Sequence, residues 1–169
     1  MIDVLLGLES VPLGVWLRES PSLLAFPTVL FLHTLGLAML VGLNAALALW
    51  IVAGRRVGEA ASRGLTQVMW TGFGVNAISG VLLLLAYPAK AITNPVFYLK
   101  LALIAAALTC FYRLKPHAFA EATAAAMSPP APAARALAVA VLIFWAGAIL
   151  TGRLLAYTHS VLMAAELAR

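Results

Sequence analysis

Charge is scarce in this 169-residue chain: only 10% of its residues are Asp, Glu, Lys or Arg, against about 25% in soluble domains. With 64% hydrophobic residues and a mean hydropathy of +1.02, that scarcity excludes an ordinary water-soluble globule. It also excludes intrinsic disorder, which needs low hydrophobicity and high net charge. The single cysteine, Cys110, excludes an intrachain disulfide, a CxxC redox pair and a thiolate metal cage. No Ser/His/Asp set, paired carboxylates or HExxH occurs, which speaks against a hydrolase. No complete GxGxxG or Walker pattern occurs either; the nearest approach, GFGVNA from Gly72, lies inside an apolar run, where its glycines serve packing rather than phosphate binding. The opening MIDVLLGLES has an acidic residue where a basic n-region belongs and no small-residue cleavage site, so it is not read as a signal peptide.

Long apolar runs are what the chain does have. Crossing a hydrocarbon core of about 30 Å takes about 20 apolar residues, and four segments qualify, at about 21–53, 65–87, 95–114 and 134–157. The expected fold is all-α: a four-helix transmembrane bundle over 21–169, preceded by a short amphipathic interfacial segment over 1–20 that Pro12 interrupts. Ser20-Pro21 and Asn94-Pro95 each read as a helix cap followed by proline at the first helical position. Pro27 is expected to bend the first span near its start, and Pro88 and Pro116 to close the second and third. The Ala/Pro-rich stretch between the third and fourth spans reads as a loop, and the fourth helix continues past the membrane toward the C-terminus. Trp16, Trp50, Trp70 and Tyr87 sit where interfacial aromatics belong. Gly42, Gly72, Gly74, Gly80, Ala46 and Ala148 are expected at close helix contacts.

The net charge of +5 would suggest nucleic acid in a soluble protein; in a membrane protein basic residues report topology. Arg55, Arg56, Arg63, Arg113, Lys115 and Arg135 fall in the loops after the first and third spans, against Arg18, Lys90 and Arg169 on the other side. The expected location is a bacterial inner membrane, with both termini periplasmic and the basic loops cytoplasmic.

Several groups that lipid tolerates poorly remain inside the spans: His33 and Asn44 in the first, Asn76 and Ser79 in the second, Lys100 in the third, Arg153 and Tyr157 in the fourth, with His159 at or beyond its end. At 1.5 Å per residue His33 lies about 15–18 Å below the outer start of its span and Lys100 about 8 Å below its own. On a helical wheel His33 and Asn44 share one stripe and Arg153 and Tyr157 another, while His159 is about 120° from Arg153, in line with Trp145 and Gly152. None of the six acidic residues lies in a span. Lys100 and Arg153, each costing about 2.5–3.5 kcal/mol at a helix centre and less near the interface, thus have no intramembrane carboxylate. Their counter-charge comes either from Glu19, just before the first span, or from a ligand such as a haem propionate, a lipid phosphate or a quinone oxygen.

At ESPSLLAFPTVLFLHTLGLAMLVG, NPVFYLKLALI and GRLLAY the chain resembles an uncharacterised family of small four-helix bacterial inner-membrane proteins, over most of its length. That family has no assigned activity to transfer. Where its members often place an Asp-Arg pair at the inner end of the first helix, this chain has Ala-Leu-Trp from Ala48 to Trp50. A weaker likeness, one His in the first helix and one Lys in a later one, is to copper-resistance D-type membrane proteins and to four-helix haem b proteins.

The function expected from these residues is an outer-half polar pocket that binds haem b or a quinone-like redox ligand and serves electron transfer. His33 would be the axial or hydrogen-bonding group, with His159 as the second metal ligand. Lys100 and Arg153 would hold propionates or ligand oxygens, with Tyr157, Asn44 and Asn76 around them. Expected partners are the lipid bilayer, a quinone or redox protein, and further copies or subunits of a membrane complex. The rival expectation is a non-catalytic membrane subunit or a small transport module, such as a copper-handling one, whose polar groups only pack helices or bind lipid.

Overall fold

The computed structural model describes Gly7 and residues 10–55, 57–120 and 129–167. Its helices are α1 (Pro12–Glu19), α2 (Phe26–Val52), α3 (Glu59–Ala86), α4 (Pro88–Ile92), α5 (Pro95–Ala118) and α6 (Pro132–Leu167). Four stretches are long and apolar enough to cross a membrane: Phe26–Val52, Arg63–Ala86, Pro95–His117 and Pro132–Leu155. The chain is therefore a helical membrane protein with four spanning helices among the described residues. Phe31, Ile78, Ile143 and Leu150, all exposed, lie on outer faces that suit hydrocarbon contact.

Local chemistry explains the helix ends. Asn94 caps α5, its Oδ1 accepting the Val96 N–H at 2.9 Å, with Pro95 at the first helical position, where a missing N–H costs nothing. The end of α2 is a Schellman closure: Gly54, at φ +79°, donates to the Ile51 carbonyl, and Arg55 to that of Trp50.

The Ser20-Pro21 signal serves a different purpose from the one expected. Ser20 ends α1, donating its N–H to Trp16, and its Oγ accepts from Ser22 at 3.2 Å as the chain turns. The first span thus begins five residues later, at Phe26. Serine and proline are turn residues as well as cap residues, and here the turn wins because α1 must fold back onto α3. Pro27 consequently falls in the first turn of α2, where a missing N–H leaves no helical hydrogen bond unmade. Pro116 does not close α5, which continues to Ala118, although it forfeits the bond to the Tyr112 carbonyl.

Packing joins two hairpins. Helix α2 lies along α3 and α5 along α6, and the pairs meet chiefly where α2 crosses α6. Backbone contact sets the first pairing: a Cβ at Gly36 would lie 2.6 Å from the Asn76 nitrogen, and one at Gly72 would lie 3.0 Å from the Gly36 carbonyl oxygen. Gly42 and Gly74, by contrast, face open space, so the expectation of close contact fails for them. The core fills with Leu40, Leu47, Ile51, Phe111, Val141 and Trp145.

Val57–Gly58 pairs in parallel with Phe119–Ala120, bringing the two basic loops together at one end. At the opposite end α1 covers the close of α3. Gly14 admits the Leu85 carbonyl, Leu17 is buried beside Ala86, and Arg18 Nη1 donates to the Ala86 oxygen at 3.2 Å.

Candidate functional site

His33 lies seven residues into α2, so the late start of that helix brings it to about 10 Å below the end, shallower than expected. Its Nδ1 is 3.0 Å from the Asn76 carbonyl oxygen and 3.1 Å from Ser79 Oγ. The carbonyl can only accept, and the Ser79 hydroxyl is already donated to the Val75 carbonyl at 2.6 Å. Nδ1 must therefore carry the proton in the neutral ring, which leaves the lone pair on Nε2. Asn76 also donates Nδ2 to the His33 carbonyl at 2.8 Å, so the two helices are clasped in both directions. Gly80 completes the seat: a methyl there would approach His33 Cε1 to 3.2 Å.

Lys100, on α5, is half-buried. Its Cδ, Cε and Nζ lie 3.7–3.9 Å from where a Cβ of Gly152 would stand. The stem is thus packed against the bare backbone of α6 at Gly152. Among the described residues Lys100 has no hydrogen bond or ion pair. Glu19, the candidate counter-charge, is paired with Arg18 at 3.2 Å, and it is the one acidic side chain among those described.

His33 and Lys100 border one cavity of about 300 Å³ at the end covered by α1 and α4. All four spans contribute: Leu30 from α2, Gly80 and Leu84 from α3, Phe97 from α5, Gly152 and Leu155 from α6. Tyr87, Lys90 and Ala91 line the space at the α3–α4 junction. The walls are mostly apolar.

The other anticipated residues separate. Asn76 belongs to the site through His33. Asn44 does not: it is fully buried, eleven residues and about 16 Å along the helix axis from His33, with Nδ2 donated to Leu40 at 2.7 Å. Arg153 and Tyr157 are exposed and do not line the cavity. The reason is the 100° turn per residue: Trp145 and Gly152 form the inward stripe of α6, so the stripe of Ala146, Arg153 and Tyr157 faces out. Arg153 therefore does not join Lys100 at the cavity; Gly152 lies beside Lys100 there instead. The side chain of His159 falls outside the described residues. Among the described residues no three His, Cys, Asp or Glu gather as metal ligands.

Lys90, Tyr87 and Phe97 were not anticipated as lining groups. The signal for Lys90 was its place between Pro88 and Asn94, two helix-start residues too close together for an open loop. For Gly152 it was the seven-residue register with Trp145.

Searches against family models, curated proteins and solved structures find no match to this chain.

Proposed function

We propose that this membrane protein binds the head of a quinone-like redox ligand in the cavity between His33 and Lys100 and serves electron transfer. The observation that carries the reading is that His33 and Lys100 line one largely apolar space within a spanning bundle. The Lys100 ammonium donates to a quinone carbonyl. His33 Nε2, left with its lone pair by the bonds at Nδ1, accepts from a quinol hydroxyl. Asn76 and Ser79 hold the imidazole by its other nitrogen, which restricts its reorientation. The volume is at the small end of the roughly 300–1,000 Å³ of ligand pockets, room for a ring with its tail directed along the apolar walls.

A haem b reading has one specific observation in its favour: metal-bound histidines usually give their other ring N–H to a carbonyl or carboxylate, as His33 does to Asn76. Against it stands the lack of a second imidazole among the described cavity residues. In a bacterial inner membrane, with the basic loops cytoplasmic, the cavity would open toward the periplasmic leaflet, where a redox protein partner could reach it.

Purification in detergent tests both readings. Co-extracted or added quinone bound by the wild type and lost from His33→Ala supports the first, and a Soret band abolished by the same variant supports the second. A colourless protein free of metal by elemental analysis that binds no quinone refutes both and favours a packing or lipid-binding subunit.

A further inference from the structure

We infer that the ligand of this cavity is bound as an anion, with one charged oxygen on an apolar body placed against Lys100. The inference rests on the reading of the cavity as a ligand site and adds the charge state of what fills it. Lys100 lines the space, and among the described residues no acidic one does. The described acid nearest in sequence to this end, Glu19, is occupied by Arg18. An ammonium in apolar surroundings is unfavourable until something answers its charge.

The usual escape for a lysine near a membrane end is to extend its stem and place the ammonium among headgroups. Lys100 has a packed seat at the cavity as well. Its last three side-chain atoms run along Gly152, where only glycine leaves the backbone bare, and the ammonium stays at the wall of the cavity. Arg153, the next residue on α6, points away and adds nothing to the site. A neutral carbonyl would satisfy one N–H of Lys100 and leave its charge uncompensated. An oxyanion satisfies both, through a charge-assisted hydrogen bond. The walls formed by Leu30, Leu84, Phe97 and Leu155 ask that the rest of the ligand be hydrocarbon. The shared chemistry is that of an ionised hydroxyquinone or of an acyl carboxylate.

Matched probes test the charge. An alkyl hydroxynaphthoquinone, ionised at neutral pH, and its methyl ether, which is not, are titrated calorimetrically into the full chain in neutral detergent. Dodecanoate and dodecanol form a second pair without the ring. The ionised quinone is expected to bind the wild type about tenfold or more tighter than its ether, the worth of one hydrogen bond to a charged group. Lys100→Met should erase that preference and Lys100→Arg should keep it. The same preference within the dodecyl pair assigns the site to acidic lipids in general, and its absence there assigns it to the quinoid ring. Equal affinity of the ionised quinone and its ether for the wild type overturns the anion inference while leaving the cavity a ligand site. If no probe binds, the reading of the cavity itself falls.

Discussion

Gly36→Ala is the substitution on which the geometry of the site depends most directly. A Cβ at this position would meet the Asn76 backbone nitrogen at 2.6 Å, the Gly72 oxygen at 2.8 Å and the Asn76 Cα at 3.0 Å. Ordinary non-bonded contact begins near 3.5 Å, so α2 and α3 must part by about 0.9 Å, and no flexible side chain can absorb the shift. The clasp one turn away moves with them: the 3.0 Å bond from His33 to the Asn76 carbonyl would stretch to nearly 4 Å, beyond hydrogen-bonding range. Overpacking costs about 1–3 kcal/mol, against a gain of about 0.5–1 kcal/mol from replacing a helical glycine with alanine. A net loss of about 1–2 kcal/mol is expected, together with weaker quinone binding. The control is Gly42→Ala in the same helix, where nothing lies within 4 Å of the new methyl and stability should hold or rise. Thermal unfolding in detergent and quinone titration of both variants make the comparison. Equal stability and equal affinity for Gly36→Ala and Gly42→Ala would refute the claim that backbone contact at Gly36 sets the His33 site.

Two further substitutions probe the scaffold away from the cavity. Asn94→Ala removes the oxygen that accepts the Val96 N–H and should cost about 1 kcal/mol in the same unfolding measurement, whereas Asn94→Asp should retain most of it. Trp145 is 1% exposed and its Nε1 has no hydrogen-bond partner among the described residues. Trp145→Phe should therefore cost far less than the roughly 3–5 kcal/mol of a large core truncation, because it also removes an unsatisfied donor worth about 1–3 kcal/mol. A loss at the full truncation value would mean that the indole N–H is satisfied, for instance by a buried water.

Most of the fold was legible from composition and run length. Apolar runs long enough to span, the Asn94-Pro95 start and the grouping of Arg55 and Arg63 with Arg113, Lys115 and Arg135 at one end all follow from chemistry along the chain. The start of the first span is not legible in the sequence, because Ser20-Pro21 is equally good at making a turn and only the docking of α1 on α3 chooses between the two uses. His33, Asn76 and Lys100 stood out as polar groups in apolar runs, but so did Asn44, Arg153 and Tyr157, and depth alone could not separate them.

What the sequence by itself determined is the solvent, the number of spans and which residues are out of place in lipid. Which of those residues meet was decided by the tertiary structure. In water, a helix announces its buried face by the contrast between apolar and polar sides; in a membrane both sides are apolar, and that signal is lost. Rotation is set instead by close packing of small residues. Gly36 against Gly72 turns His33 onto Asn76 and Ser79, and Gly152 takes Lys100 while sending Arg153 outward.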